Sequence, residues 1–227
     1  MKRMNTAILL SGGVGSRLQS QIPKQYLNVS GKMVITYSLE TLIKSPDIDE
    51  IRIVAEGEWR DSIINEVKEL GISTEKIKDF VTPGSTRQES IWNGLQNIFT
   101  HKDGVEDTGF TKKIEDRINR AKEKDSFKNI DYVMIHDAAR PLLTEKMIHE
   151  CFTAIKNHDG VMPVLPMKDT VYYSKDGVCV SELLERKSLF AGQAPEVFDF
   201  NKYYQANLAL LPERIYKIGR ASCRERV

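Results

Sequence analysis

Thr6-Ala7-Ile8-Leu9-Leu10 reads as a buried β-strand, and it stops abruptly at Ser11-Gly12-Gly13-Val14-Gly15. A strand that is apolar without alternation must be covered on both faces, which calls for a neighbouring strand on each side and helices above and below. Glycines directly behind its carboxyl end let backbone N–H groups approach a ligand with no Cβ in the way. Together these two features confine the chain to α/β architectures in which a binding site lies beyond the ends of the strands.

The remaining segments agree with that constraint. Met33 to Ser45 has helical spacing of apolar residues and is followed by Pro46, a stop signal. Ile51 to Ala55 predicts the next strand, and Asp61 to Leu70 an amphipathic helix closed by Gly71. Ser90 to Phe99 predicts another helix, Tyr132 to Ile135 another strand, and Gly160 to Leu165 a further strand weakened by Pro163. Strands alternating with helices imply a largely parallel sheet with helices on both faces. Alternating residues around Lys175-Asp176-Gly177 predict a projecting β-arm over about 166–187. The chain is expected to form one domain over 1–217.

Composition narrows the class. With 41% hydrophobic residues the chain can build one sizeable core, and a net charge of +1 provides no global field for nucleic acid or anionic lipid. No apolar stretch reaches the ~18 residues of a membrane span. Cys151, Cys179 and Cys223 form no CxxC pair and no metal-ligand spacing, and unpaired thiols predict a reducing cytoplasm. Two segments stand apart. Residues 99–129 carry eight Lys/Arg and seven Asp/Glu with few large apolar side chains, so they predict a solvated insertion without a catalytic role. The last ten residues, Ile218 to Val227, back-translate in one frame to a short-read sequencing adapter. They are expected to be non-native, with the natural chain continuing past Lys217.

Three motifs can carry chemistry. The first runs from Leu10 to Arg17 and on to Pro23-Lys24-Gln25-Tyr26. A dinucleotide fingerprint would need a third glycine where Leu18 stands, and no GxxxxGK[ST] string occurs. What remains is a GGxGxR loop with a lysine seven residues after the arginine, a phosphate cradle with two fixed cations. Such cations stabilise charge that develops at phosphorus while pyrophosphate leaves. The second motif, His136-Asp137-Ala138-Ala139-Arg140-Pro141, follows a buried strand; Asp137 could be a magnesium ligand or a helix cap. The third, Gly84-Ser85-Thr86-Arg87-Gln88-Glu89-Ser90, could be a recognition loop or an ordinary turn with a helix-cap residue.

Over roughly residues 5 to 217 the chain resembles the 2-C-methyl-D-erythritol 4-phosphate cytidylyltransferases, and shares most motifs with the related ribitol-5-phosphate cytidylyltransferases. The resemblance rests on SGGVGSR, PKQYL, GSTRQES, HDAARP, MKDT with Arg186 downstream, and GQAPEVF. It implies a Rossmann-like nucleotidyltransferase fold, CTP and a polyol phosphate as substrates, Mg²⁺, and a homodimer formed through the β-arm. By this resemblance Arg17 and Lys24 are catalytic, and Ser11, Gly12, Gly13, Gly15, Gly84, Ser85, Ser90 and Ala138 bind the nucleotide. Asp137, Arg140, Thr170 and Arg186 bind the polyol phosphate, and Asp137 also holds the metal. HDAARP favours methylerythritol phosphate, since ribitol relatives tend toward HDSVRP. Gln193-Ala194-Pro195-Glu196 departs from the family's QTPQ, and nothing after Lys217 matches its final segment. A nucleotide-binding fragment without turnover is therefore the alternative from another class. His136 is expected to be a packed residue rather than a base.

Overall fold

The computed structural model describes residues 4–13, 22–102 and 130–209. Gly15, Arg17, most of the charged insertion and the tail 218–227 lie outside them. The predicted first strand is β1 (Asn5–Leu10). Chain order continues with a small hairpin of β2 (Asn28–Val29) and β3 (Lys32–Met33), then α1 (Val34–Lys44), β4 (Glu50–Val54), α2 (Gly57–Glu69), β5 (Ile77–Val81) and α3 (Arg87–Lys102). After it come β6 (Tyr132–Asp137), α4 (Glu145–Ala154), β7 (Gly160–Val161), β8 (Val164–Pro166), β9 (Tyr172–Tyr173) and β10 (Glu182–Leu183). The last elements are β11 (Phe190–Gly192), β12 (Glu196–Asp199) and α5 (Phe200–Ala209).

Six strands form the central sheet in the order β5-β4-β1-β6-β12-β7. β1 pairs in parallel with β4 on one side and β6 on the other, with Leu10 opposite both Val54 and Asp137. Among the described strands of this sheet, β12 runs antiparallel to both of its neighbours, β6 and β7. This is the mostly parallel α/β sheet that the alternation of elements predicts. Successive side chains leave β1 on opposite faces. Ala7 and Leu9 join a core with Ile35, Leu39 and Leu42 of α1 and Ile63 of α2. Ile8 joins a second core with Ile91 and Leu95 of α3 and Tyr204 of α5. Both faces are covered, which is why the strand carries no polar alternation.

Local rules explain the boundaries. In α1, Ile35, Leu39, Leu42 and Ile43 repeat at helical spacing and are buried, and the helix stops before Ser45-Pro46. α3 starts three residues earlier than periodicity alone predicts, because Thr86 Oγ1 accepts from Glu89 N at 3.1 Å and caps it. α2 likewise begins at Gly57 rather than Asp61. The expected strand over 160–165 divides in two: β7 completes the central sheet, while β8 leaves it to pair with β11. Pro163, between them, has no N–H to continue a ladder. β5, α4, β12 and α5 had no sequence expectation, although Thr144 Oγ1 accepting from Met147 N at 3.2 Å is an ordinary cap for α4.

Where the arm is expected, two antiparallel ladders form, and they begin outside the expected bounds, at Val164 and Gly192. The β8–β11 ladder forms its base and the β9–β10 ladder its outer part, and Asp176 Oδ1 accepts from Val178 N and Cys179 N at 2.9 Å each to shape the tip. Those bonds hold the Asp176 carboxyl down to about 2. Among the described residues, no helix is long and apolar enough to cross a membrane.

One boundary corrects the sequence reading. α3 runs to Lys102, so the charged insertion does not begin at 99; Phe99 is core, 6% exposed and stacked 5.5 Å from Tyr204. Phe99→Ala should therefore destabilise the protein by about 3–5 kcal/mol, read by denaturant unfolding. A loss under about 1 kcal/mol would place Phe99 with the solvated insertion instead.

Candidate active site

Because β1, β4, β5 and β6 are parallel, the segments that follow them all emerge on one edge of the sheet. β12 runs the other way, so its first residue, Glu196, opposite Ile135, arrives at that same edge. The glycine loop, GSTRQES, HDAARP and the start of β12 are thereby brought together.

The glycine loop is held from beneath. Ser11 N donates to Val54 O at 2.8 Å, which extends the sheet by one residue. Gln25 Nε2 donates to Ser11 O at 2.6 Å and to Gly13 O at 2.7 Å. Tyr26 OH lies 2.9 Å from Ser11 Oγ and 2.8 Å from Ser11 O. The Tyr26 ring stacks on Trp59 at 4.2 Å. Burial raises the Tyr26 pKa, opposed by bonds with Ser11 and Gln25, so the phenol keeps its proton. PKQY thus supplies two braces as well as Lys24, which is exposed on a short 3-10 turn. Sequence reasoning attended to the lysine and missed Gln25 and Tyr26; a polar pair beside a glycine loop was the signal. At Gly12 an added Cβ would lie 2.2 Å from Pro83 Cβ, so only glycine lets the loops after β1 and β5 meet.

GSTRQES is internally cross-bonded. Gly84 N donates to Ser90 Oγ at 3.0 Å, and Ser85 N and Oγ both donate to Glu89 Oε2 at 2.6 Å. Ser90 is buried and holds the backbone of Gly84, whereas Ser85 is exposed. A Cβ on Gly84 would strike the Glu89 side chain at 2.2 Å.

The charged centre is at the end of β6. Asp137 accepts from Arg87 Nε at 3.0 Å and from Arg140 Nε at 3.4 Å, on different oxygens. Arg87 Nη2 also lies 3.5 Å from Glu196 Oε2, and Arg140 Nη1 donates to Gln193 Oε1 at 3.3 Å. Burial pulls the Arg87 guanidinium toward losing its proton, but Asp137 and Glu196 outweigh this and its pKa lies above the ordinary arginine value. Ala138 is fully buried, with its N–H donated to Leu10 O at 2.8 Å. His136 is 1% exposed and its Nε2 lies 3.1 Å from Arg140 O; burial lowers its pKa, so it is neutral and packed, as expected. Thr170 and Arg186 stand exposed on the arm, where Arg186 Nη1 donates to Lys168 O at 3.2 Å.

Magnesium can be tested against these groups. Among the described residues no three His, Cys, Asp or Glu side chains gather as a metal cage. Mg²⁺ needs none, since it takes one or two carboxylates and fills its shell with phosphate oxygens and water. Asp137, a carboxylate at the strand end with a 19% exposed side chain, is an oxygen donor of the right kind, and because Arg87 and Arg140 each take one of its oxygens, a metal delivered with a nucleotide would share that carboxylate with them.

Tyr26→Phe keeps the ring stacked on Trp59 but removes the hydroxyl bonded to Ser11. The variant should lose about 1 kcal/mol, a fall in Tm of about 2–4 °C, measured by thermal melting. An unchanged Tm would show that Gln25 holds the loop without it.

Comparison with known proteins gives the family and the fold. The family model described as 2-C-methyl-D-erythritol 4-phosphate cytidylyltransferase matches residues 5–106 and 113–211. The chain is 32% identical over 211 residues to the protein of that name from Lachnospira eligens, covering 90% of this chain and 79% of the relative. It is 28% identical over 203 residues to a ribitol-5-phosphate cytidylyltransferase from Lacticaseibacillus paracasei, covering 89% and 75%. In fold it is similar to the crystal structure of 4-diphosphocytidyl-2C-methyl-D-erythritol synthase from Anaerococcus prevotii, with a TM-score of 0.68, 22% identity, and 92% and 75% of the two chains covered. The family match across nearly all the described residues, with a relative 32% identical over 90% of the chain, identifies the chain as a member of the 2-C-methyl-D-erythritol 4-phosphate cytidylyltransferase family.

Proposed function

We propose that this protein transfers CMP from CTP to 2-C-methyl-D-erythritol 4-phosphate and releases pyrophosphate, a step of isoprenoid precursor synthesis. The observation that carries the reading is the placement, in a member of this family, of the braced Gly12-Gly13 loop on the same edge as Asp137 and Arg140. One side of that edge suits a triphosphate and the other a phosphate monoester.

An oxygen of the polyol phosphate attacks the α-phosphorus of CTP in line, a new P–O bond forms, and the bond to the β-phosphate oxygen breaks. The nucleophile is already an anion, so no general base is needed, in keeping with a neutral, buried His136. Arg17 and Lys24 neutralise the charge that moves onto pyrophosphate. Gly12, Gly13 and Gly15 cradle the triphosphate above the buried Ser11, and Gly84 and Ser85 form the nucleoside side, with the buried Ser90 and Ala138 supporting it from beneath. Arg140 takes the polyol phosphate. Asp137 would hold Mg²⁺, which when bound would supply positive charge to the phosphates. Thr170 and Arg186 serve the polyol side of a second subunit's site across a homodimer formed by the arm. Support for that dimer comes from the arm's exposed apolar surface, with Leu165, Tyr172, Leu183 and Phe190 each more than half exposed.

The test is pyrophosphate release with each nucleoside triphosphate and both polyol phosphates. CTP with methylerythritol phosphate should be fastest. Equal rates with all four nucleotides would overturn the reading, and faster turnover of ribitol phosphate would select that substrate. Lys24→Ala should lower kcat by about 10²–10³ while weakening CTP binding far less, because charge grows there only as pyrophosphate leaves. An unchanged kcat would remove Lys24 from the mechanism.

A further inference from the structure

Arg87 has no role in the sequence reading, yet it ties the carboxyl edge together. It is the first residue of α3, directly behind Gly84-Ser85-Thr86, so its backbone belongs to the nucleoside side. Its guanidinium reaches across to the polyol side, with Nε 3.0 Å from Asp137 Oδ1 and Nη2 3.5 Å from Glu196 Oε2. Arg140 Nε takes the other Asp137 oxygen at 3.4 Å, and Arg140 Nη1 continues to Gln193 Oε1 at 3.3 Å. Guanidinium contacts on both oxygens restrict the turning of a carboxylate more than a contact on one of them.

We infer that Arg87 is a positioning residue: it sets the orientation of Asp137, and through Asp137 that of Arg140, so that the polyol-phosphate side of the site is built on the first turn of the nucleoside-side helix. The inference rests on the cytidylyl-transfer reading for the identity of the ligands. Geometry favours arginine here, because a planar fork with several N–H donors can serve two carboxylates in different directions, which a lysine ammonium does less well. It is only partly exposed, at 29% for its side chain, between a 19% exposed aspartate and a 9% exposed glutamate. The competing account is purely structural. A buried glutamate needs a counter-charge, and Arg87 would then exist only to balance Glu196.

Three variants separate the accounts: Arg87→Lys, Arg87→Met, and Arg87→Met combined with Glu196→Gln, which removes the charge that needs balancing. Each is measured for Tm, for CTP affinity, and for KM and kcat toward the polyol phosphate. The double variant should regain the parent's Tm and bind CTP within about threefold of it, while its KM for the polyol phosphate stays raised by at least about tenfold. Arg87→Lys should lie between the parent and Arg87→Met. Return of the polyol KM together with Tm in the double variant would overturn the inference, as would a loss of CTP affinity equal to the loss for the polyol. Should the double variant fail to fold, Arg87→Lys decides on the same readouts. If the parent itself releases no pyrophosphate, the functional reading fails separately. Calorimetric titration with inorganic phosphate then decides: binding weakened about tenfold in the variants supports the role of Arg87, and equal binding overturns it.

Discussion

From Thr6 to Leu10, β1 pairs in parallel with both β4 and β6, and the site depends on that pairing. Parallel neighbours finish on the same edge, so three segments distant in sequence are delivered to one place. The register puts Leu10 beside both Val54 and Asp137, and the sheet continues one step further through Ser11 N to Val54 O and Ala138 N to Leu10 O. Those two bonds fix the starting points of the glycine loop and of HDAARP relative to one another. Helices on both faces then make the register costly to change, because a slip by one residue would exchange the contents of the two cores.

Above that frame the two halves of the site are held differently. The phosphate loop depends on neutral braces, Gln25 and Tyr26, which satisfy its carbonyls without adding charge where a triphosphate would sit. The polyol side depends on charge, with Asp137 between two arginines and Glu196 behind one of them. Mutual pairing keeps arginines in place on a surface whose net charge is close to zero. The division matches the chemistry: the loop approaches phosphates through its backbone, while a phosphate monoester is met by a side-chain cation.

Much of this was legible in the residues. Strand β1, helix α1 and the arm turn follow from apolar spacing and turn chemistry that act within a few positions. The glycine loop and HDAARP were legible as motifs because their residue types leave few other uses. The bounds of α3, by contrast, depend on a Thr86 cap that periodicity does not report, and Phe99, which composition groups with the charged segment, packs on Tyr204 instead. The run from Gly160 to Leu165 reads as one strand, although its two halves pair with different partners.

Sequence by itself determined the fold class and the site's vocabulary, because burial on two faces, backbone access at glycine and the charge of Asp, Arg and Lys are properties of the residues. Tertiary structure alone decided how those groups are held. Ser90 turned out to support Gly84, and Gln25 and Tyr26 turned out to brace the loop. Glu196 reaches the charged edge only because β12 runs antiparallel to β6. Arg87 meets Asp137 from 50 positions away, and no local pattern encodes such a contact. It exists because parallel strands bring separate strand ends to one edge, where the partners of a side chain are set by topology rather than by its neighbours in the chain.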